Sequence, residues 1–190
     1  MRIGVLALQG AFIEHEQVLH TLGVDTFQIR QLSDLDQPFD GLVLPGGEST
    51  VMRKLLDDLG LFAPLKQKIK GGLPVFGTCA GAILLAKSIS NEPQPHFAEM
   101  DIAIERNAYG RQLGSFIADE KFSEDELVIP MSFIRAPIIR SVSGQAIVMA
   151  KVGDDIVAAR EGNKLVTTFH PELKTDVVHR YFLQMIKGEK

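Results

Sequence analysis

Short apolar runs alternate with segments of helical periodicity through the first half of the chain. Residues 3–8 and 41–44 are almost continuously apolar, which is typical of strands buried on both faces of a sheet. Residues 12–22 carry apolar side chains at helical spacing, and Gly23 is a plausible helix stop. The pattern predicts strands at residues 3–8, 24–29, 41–44 and 73–76, and helices at residues 12–22, 49–59 (capped by Ser49 or Thr50) and 66–70. Strands separated by helices in this way indicate a parallel sheet with right-handed crossover connections.

The second half of the chain changes to shorter strands that follow one another closely. The pattern predicts strands at residues 101–104, 128–134, 145–152, 155–160 and 164–169. Turns at residues 153–154 and 162–163 would join the last three strands into a meander. Thr175 or Asp176 begins a closing helix, whose apolar face comprises Val177, Val178, Tyr181, Phe182, Met185 and Ile186. We therefore expect an α/β protein with one domain spanning residues 1–190, a mostly parallel sheet and an antiparallel C-terminal extension.

Composition and charge narrow the classes of function. The 190 residues are 45% hydrophobic and 23% charged, with a formal net charge of −4, which is ordinary for a soluble globular protein. The chain has no basic block, so nucleic acid is not an expected partner. It has neither the layout of a signal peptide nor an apolar run of the roughly 18 residues that a membrane span needs. We expect a cytoplasmic protein, and a reducing compartment also suits its single cysteine.

The segment LPVFGTCAG, at residues 73–81, carries the clearest chemical signal. An apolar run ends in GTCAG and passes directly into a small apolar helical segment. This is the G-x-C-x-G form of a nucleophile elbow, whose central residue lies on a tight strand-to-helix turn at a helix N-terminus that favours an anionic sulfur. A free cysteine is more often a small buried hydrophobe. Between two glycines at this junction, however, we interpret Cys79 as a catalytic nucleophile.

A cysteine nucleophile needs a base, and His170 in the segment TTFHPE is the best candidate. His170 follows the last predicted strand, and Pro171 favours an extended conformation at His170. Residues two apart in an extended chain project to the same side, so Glu172 could orient the ring while its other nitrogen faces the thiol. The alternative is a strand-end histidine beside a solvated glutamate. Spacing alone favours that alternative, and the cysteine elbow reverses the preference.

The segment PGGEST, at residues 45–50, also lies between a buried strand and a predicted helix. Its paired glycines let backbone N–H groups approach a ligand, and the Gly47 N–H could form an oxyanion hole with the N–H of Ala80. A phosphate-binding loop is a rival interpretation, but the P-loop pattern is absent and Glu48 would repel phosphate. A simple turn before a helix is the third possibility.

The other histidines do not indicate a metal site. His15 and His20 resemble the zinc motif H-E-x-x-H, but they are five residues apart, which places them about 140° apart around a helix. His96 and His179 have no evident partners, and we expect both to be solvated. With one cysteine in the chain, neither a metal nor a cofactor is expected.

The segments GTCAG, PGGES and FHPE together resemble the class I (triad-type) glutamine amidotransferases, and the order of nucleophile and later histidine-x-glutamate is also similar. More narrowly, the chain resembles the glutaminase subunits of two-protein pyridoxal 5′-phosphate synthases. The supporting blocks are GVLALQGA (residues 4–11), LPGGEST (44–50), ERNAYGRQ (105–112) and FIRAP (133–137). The last two are the most specific to that subfamily. Residues 91–96 and 119–130 match its pattern loosely.

The resemblance implies a fold, an activity and a set of site residues. The fold would be a three-layer, flavodoxin-like sandwich of the class I glutaminase type. The activity would be hydrolysis of L-glutamine to L-glutamate and ammonia through a cysteine thioester. The implied residues are Cys79, His170 and Glu172 in catalysis, Gly46, Gly47, Glu48, Arg106, Ile134 and Arg135 at the glutamine site, and Gly47 and Ala80 in the oxyanion hole. Arg106 and Arg135 could instead be surface arginines at strand ends.

The resemblance also implies a partner, a pyridoxal 5′-phosphate synthase subunit that receives the ammonia. Glutaminase subunits would decorate a barrel-shaped synthase core, and a free glutaminase would be poorly active until it docks. That behaviour is expected if the peptide between Gly46 and Gly47 must reorient to complete the oxyanion hole. The alternatives are a glutaminase that serves another synthase, such as those of histidine or purine pathways, a cysteine peptidase, and a non-catalytic redox-sensing or chaperone-like protein of related fold.

Overall fold

The computed structural model describes residues 1–90, 92, 95–108, 114–123 and 125–190. Its strands are β1 (Arg2–Leu6), β2 (Asp25–Ile29), β3 (Gly41–Leu44), β4 (Val75–Thr78), β5 (Ala86–Ile89), β6 (Met100–Glu105), β7 (Ser115–Phe122), β8 (Leu127–Ile134), β9 (Ile138–Val142), β10 (Ile147–Val152), β11 (Asp155–Glu161) and β12 (Lys164–Thr167). Its α-helices are α1 (Phe12–Thr21), α2 (Ser49–Asp58), α3 (Phe62–Lys70), α4 (Ala80–Leu85) and α5 (Val177–Lys187), with short 3₁₀ helices at Leu32–Asp36 and Pro171–Leu173. Parts of three sequence blocks lie outside the described residues: 109–112 of ERNAYGRQ, 91, 93 and 94 of the loop 91–96, and 124 of the segment 119–130.

A ten-stranded sheet runs through the described part of the molecule, in the order β2-β1-β3-β4-β12-β11-β9-β6-β5, with β10 paired to β11. The five strands from β2 to β12 are parallel to one another. Strand β11 pairs antiparallel with β12, β10 and β9, strand β6 pairs antiparallel with β9, and β5 lies parallel to β6. Strands β7 and β8 form a separate antiparallel pair. The expected α/β class, with a parallel core and an antiparallel C-terminal extension, is confirmed.

Helices cover both faces of the parallel core because side chains alternate along each buried strand. Leu42 and Leu44 of β3 belong to an apolar cluster that also contains buried residues of α2, α3 and α4. Val43 belongs to a second cluster, with Ile3 and Val5 of β1 and buried residues of α1 and α5. The sheet is therefore the middle layer of three, as expected for a doubly covered parallel sheet. In the part of the chain that the structure describes, no helix is long and apolar enough to cross a membrane.

Most of the predicted elements are present, with differences at their ends. Helix α2 begins at Ser49, so Ser49 and Thr50 lie inside the helix and the expectation that one of them caps it is wrong. Glu48 occupies the N-cap position in an extended conformation and makes no side-chain cap hydrogen bond. Helix α5 begins after Asp176, as expected. Strands β5, β7 and β9 were not predicted.

The turn between β4 and α4 depends on two glycines that allow a close backbone approach. A Cβ on Gly81 would lie 2.1 Å from the carbonyl oxygen of Leu44, and a Cβ on Gly77 would lie 2.7 Å from the carbonyl carbon of Gly81. Such distances are far below van der Waals contact, and the atoms that would be met belong to the backbone. The glycines on either side of Cys79 therefore let α4 pack directly against β3 and β4.

Replacing Gly81 by alanine should destabilise the fold, because the new methyl group overlaps backbone that cannot move without separating α4 from β3. We expect Gly81→Ala to lower the free energy of unfolding by about 3 kcal/mol, as for severe overpacking of a core. Gly114→Ala is the matched control, since a Cβ there would meet none of the described residues within 4 Å, and its effect should stay within about 0.5 kcal/mol. Urea unfolding followed by circular dichroism measures both. Equal stabilities of the two variants would contradict the tight approach.

Candidate active site

Cys79 lies on the turn between β4 and α4, at the carboxyl end of the parallel strands. Its backbone N–H donates to the Thr167 carbonyl at 2.8 Å, and its own carbonyl accepts from the Ile83 N–H at 3.2 Å. Its backbone angles, φ 46° and ψ −98°, are a conformation that few residues other than glycine adopt, and the surrounding bonds hold it there. The thiol is free, and Cys79 lines a surface cavity. The strained turn of a nucleophile elbow is therefore present.

Strand pairing brings His170 to the same edge of the sheet. Strand β12 lies parallel to β4 with Thr167 opposite Thr78, so the residues that follow the two strands emerge side by side. His170 comes three residues after the end of β12, and its backbone N–H donates to the Ser132 carbonyl of β8 at 2.8 Å. Two residues that are far apart in sequence thus meet at one place.

The His170 ring is paired with a carboxylate and shares a cavity with the Cys79 thiol. Its Nδ1 lies 2.7 Å from Oε1 of Glu172, and His170 and Cys79 both line the same cavity. The predicted pairing of His170 with Glu172 is present, but the conformational reason given for it is wrong. Pro171–Leu173 forms a 3₁₀ helix that begins directly after His170, and this tight turn, not an extended strand, brings Glu172 back onto the ring.

These contacts determine the charges at the site. Burial alone would lower the pKa of His170, but the hydrogen bonds and charges of Cys79 and Glu172 outweigh burial and raise this pKa to about 10. Burial would likewise raise the pKa of Glu172, while His15 and His170 hold it below its ordinary value. At neutral pH the ring is therefore protonated, and it lies beside an ionised carboxylate.

A cavity of about 330 Å³ adjoins Cys79 and His170. This volume is typical of a pocket that binds a small molecule. The cavity is lined by all six residues that the sequence analysis assigned to a glutamine site, namely Gly46, Gly47, Glu48, Arg106, Ile134 and Arg135. Gln9 and Asn107 also line the cavity. Ala80 is fully buried as the first residue of α4, next to Cys79, and is not among the described residues that line it.

The paired glycines of the PGGEST loop pack directly against neighbouring side chains of the site. A Cβ on Gly46 would lie 2.3 Å from Cε1 of His170, and a Cβ on Gly47 would lie 2.4 Å from Oε1 of Gln9. The Gly46 carbonyl accepts a hydrogen bond from the Ala11 N–H at 3.0 Å. A larger residue at either position would displace its neighbour, so this loop requires glycine for contact with the site.

Two carboxylates converge on Arg106. Its Nη2 lies 2.8 Å from Oε1 of Glu48, and its Nη1 pairs with Oε1 of Glu92. The Glu48 backbone N–H donates to Oε1 of Gln9 at 2.9 Å. The sequence analysis assigned no role to Gln9, which is part of the segment GVLALQGA. Its contact with the PGGEST loop arises only when the chain folds, so the sequence pattern did not indicate it. The cavity thus presents a cation and an anion side by side, which suits a small zwitterionic ligand.

Two histidines that the sequence analysis set aside lie next to Glu172. His15 Nε2 is 3.5 Å from Oε2 of Glu172, and His15 Nδ1 is 2.8 Å from His179 Nε2. Both histidines are fully buried, so the expectation that His179 is solvated is wrong. A signal for His15 was available in the sequence. It lies three residues after Phe12 and four before Leu19, within the apolar stripe of α1.

The remaining histidines lie away from the site. His20 is exposed and lies 2.7 Å from Oγ1 of Thr26, so it is on a different face of α1 from His15, as predicted. The expectation that His96 is solvated is wrong, because its side chain is only 9% exposed and its Nε2 lies 3.5 Å from Oε2 of Glu92. Within the described ranges, no group of three or more histidine, cysteine or carboxylate side chains is arranged to hold a metal ion.

By its fold the protein belongs to the α/β class, with a free thiol, an imidazole and a carboxylate at one cavity, and comparison with known proteins identifies its family. The model of the SNO glutamine amidotransferase family matches residues 5–188. "Pyridoxal 5′-phosphate synthase subunit PdxT" of Methanocorpusculum labreanum is 60% identical over 189 residues, which is 99% of each chain. The protein of the same name from Streptococcus pneumoniae is 52% identical over 194 residues, which covers 100% of each chain.

A solved structure described as "Crystal structure of glutamine amidotransferase" is 40% identical to this chain. It superposes with a TM-score of 0.91 and covers 97% of this chain and 98% of its own. The chain therefore belongs to the SNO glutamine amidotransferase family. The resemblance read from GTCAG, PGGES and FHPE, and the fold that it implied, are confirmed.

Replacing Glu172 by glutamine should lower the pKa of His170 well below about 10. The substitution keeps the shape of the side chain but removes its negative charge, while burial, which lowers the pKa of His170, remains. The ring should therefore lose its proton at a lower pH than in the wild type. NMR titration of the His170 ring measures this shift, with the exposed His20 as an internal reference. An unchanged titration of His170 would show that Cys79 alone maintains the charge on the ring.

Proposed function

We propose that this protein is the glutaminase subunit of a pyridoxal 5′-phosphate synthase, and that residues 1–190 act as one glutaminase domain. It would hydrolyse L-glutamine to L-glutamate and ammonia and pass the ammonia to the synthase subunit. The observation that carries the proposal is that His170 pairs with Glu172 and lines, together with Cys79, a cavity that fits an amino acid. The high identity to named synthase subunits over the whole chain supports the choice of pathway.

The residues at the cavity account for each step of the hydrolysis. The proton of the Cys79 thiol resides on His170, whose pKa is about 10, so the sulfur attacks the side-chain amide carbon of glutamine as an anion. The protonated His170 then gives its proton to the departing ammonia, which leaves a γ-glutamyl thioester. The neutral ring next removes a proton from water as the water oxygen attacks the thioester, and glutamate leaves as the sulfur is released. Glu172 stabilises the protonated ring and fixes its orientation throughout.

The oxyanion of each tetrahedral intermediate needs N–H donors, and we propose those of Gly47 and Ala80. One such donor is worth about 2.7–4 kcal/mol in the transition state. The Ala11 N–H holds the Gly46 carbonyl at 3.0 Å, and this bond sets the direction of the peptide that also carries the Gly47 N–H. We keep the hypothesis that docking of the synthase reorients this peptide and so completes the oxyanion hole.

Glutamine would be held by the charged residues of the cavity. Arg106 suits the α-carboxylate, since a guanidinium can bind both carboxylate oxygens. Glu48, which lies 2.8 Å from Arg106, suits the α-ammonium group. Arg135 and Ile134 line the same cavity, and Gly46 and Gly47 let the backbone approach the substrate closely.

The synthase partner and the cellular location complete the proposal. Glutaminase subunits of this kind would dock on the outside of a synthase core, so that ammonia passes between subunits without release. We also propose a cytoplasmic location, because a nucleophilic thiol must stay reduced.

The first test is release of ammonia from glutamine by the wild type and by Cys79→Ala, each with and without the pyridoxal 5′-phosphate synthase subunit. We expect wild-type activity that rises on addition of the synthase, and a loss of at least about a thousandfold in Cys79→Ala, because the thioester cannot form. Equal wild-type turnover with and without the synthase would contradict the reorientation of the Gly46 peptide.

The remaining outcomes of this test separate the alternatives. Activity that depends on Cys79 but ignores this synthase would point to a glutaminase of another pathway. Cleavage of peptides without hydrolysis of free glutamine would favour a cysteine peptidase. No activity in any mixture would favour the non-catalytic redox-sensing or chaperone-like protein.

A second test addresses the glutamine site. Arg106→Gln should raise the KM for glutamine by at least about tenfold, the effect of losing one charged hydrogen bond, and should change kcat less because Arg106 is assigned to the end of glutamine that does not react. Arg180→Gln on α5, whose arginine pairs with Asp176, is the control and should leave both constants unchanged. Steady-state ammonia release with the synthase present gives both constants. An unaltered KM in Arg106→Gln would leave Arg106 as a surface arginine paired with Glu48 and Glu92.

A further inference from the structure

The carboxylate of Glu172 has a second histidine beside it. Oε1 faces His170, whereas Oε2 lies 3.5 Å from Nε2 of His15 in α1. Among the described residues, Oε2 makes no hydrogen bond of normal length, and the side chains of Glu172 and His15 are both fully buried. A buried carboxylate oxygen needs a donor that faces it, and His15 Nε2 is in position to be that donor.

The contacts of His15 continue in two further directions. Its Nε2 also lies 3.0 Å from Oγ1 of Thr78, the residue before Cys79. Its Nδ1 lies 2.8 Å from Nε2 of His179 in α5. The His15 ring is thus bonded to the turn that carries the nucleophile, lies close to the carboxylate that orients the base, and is held from behind by a second helix.

Hydrogen-bonding capacity determines where the protons lie in this group. One of the two nitrogens in the contact between His15 and His179 must carry a hydrogen. If His15 Nδ1 carried it, the Nε2 lone pair of His15 would face the Glu172 carboxylate, and Nδ1–H of His179 would be a buried donor without a partner in the described structure. If His179 Nε2 carries it, His15 has its hydrogen on Nε2, directed at Oγ1 of Thr78 and Oε2 of Glu172. The second arrangement leaves no buried donor unpaired.

Burial favours the neutral form of both histidines, because it lowers the pKa of His15 and lowers that of His179 well below its ordinary value. His15 can therefore offer a hydrogen-bond dipole to Glu172 without competing for the proton of His170. Among the described residues, the titratable groups that act on Glu172 are His15 and His170. Glu14 acts on His15, His15 acts on His179, and Cys79 acts on His170.

Packing alone does not require a polar ring at position 15. The ring stands edge-on to Phe76, with centroids 5.8 Å apart, and an apolar side chain of similar volume would fill this space without two nitrogens to satisfy. Packing therefore does not explain why Nε2 of His15 lies 3.5 Å from Oε2 of Glu172.

We propose that His15 is a positioning residue of the glutaminase site, holding Oε2 of Glu172 with its Nε2–H while His179 fixes that tautomer. The proposal rests on the assignment of Cys79, His170 and Glu172 made above. With Oε2 held, Oε1 stays directed at Nδ1 of His170 while this ring gains and loses its proton. His15 touches neither substrate nor sulfur, and no proton leaves it.

The test compares His15→Gln with His15→Leu in the complex with the synthase subunit. The amide nitrogen of glutamine can occupy the place of Nε2 and donate to Glu172, whereas leucine cannot donate. His15→Leu should lower kcat by about 10- to 100-fold with little change in KM, as for loss of a residue that orients a catalytic group. The acid limb of its kcat/KM profile should move up by about one pH unit, because Glu172 remains buried but has lost its donor and is protonated more easily.

The matched control is His20→Leu, since this histidine lies on the exposed face of the same helix. The control should reproduce the wild-type kcat and pH profile, and His15→Gln should recover most of the kcat that His15→Leu loses. A wild-type acid limb in His15→Leu, or equal impairment of the glutamine and leucine variants, would overturn the proposal. If Cys79→Ala retains full activity, the assignment of the site itself fails, which is a different result.

A measurement on the wild type covers the case in which His15→Leu does not fold. ¹⁵N NMR of labelled protein distinguishes a protonated from an unprotonated ring nitrogen. We expect His15 to be protonated at Nε2 and not at Nδ1, and His179 to be protonated at Nε2. The opposite tautomer at His15 would direct a lone pair at Glu172 and would overturn the proposal without any assay of activity.

Discussion

The parallel pairing of β4 with β12 is the constraint on which the site depends. Thr78 and Thr167 lie opposite each other at the ends of these strands, and the bond from the Cys79 N–H to the Thr167 carbonyl, at 2.8 Å, continues the pairing one residue into the turn. A shift of one residue in this register would turn every side chain of β12 to the opposite face of the sheet. It would also carry the segment after β12 away from the elbow. The register of the sheet, more than the conformation of the loops, therefore determines where the Cys79 sulfur and the His170 imidazole lie relative to each other.

Electrostatic coupling is the second constraint on the site. The His170 ring carries its positive charge beside the Glu172 carboxylate, and these two groups keep each other in their charged forms against the cost of burial. His15, which lies beside Glu172, and His179, which contacts His15, extend this set of groups into α1 and α5. Groups coupled in this way titrate together, so their apparent pKa values belong to the whole set and not to one residue. The site is thus an arrangement of charges supported by the sheet and by two helices that cover one of its faces.

Sequence reasoning succeeded where the signal is local and failed where it depends on packing. The elbow was predictable because Gly77, Cys79 and Gly81 lie on one short turn. Strands β5 and β7 were missed because their middle residues are exposed or charged and lack the apolar pattern of a strand. The contact between His170 and Glu172 was predicted, although from the wrong backbone conformation. The contact between His15 and His179 needed the knowledge that α1 and α5 cover the same face of the sheet.

The position of β12 also has a consequence for how the protein is made. This strand enters the sheet between β4 and β11, yet it comes from near the end of the chain. While the ribosome is still producing residues 164–172, β4 has one unpaired edge, and the sulfur on its turn has neither imidazole nor carboxylate beside it. In a nascent or truncated chain, the Cys79 thiol therefore lacks both of these neighbours. On the assignment proposed above, release of ammonia begins only once translation has supplied β12 and the residues that follow it.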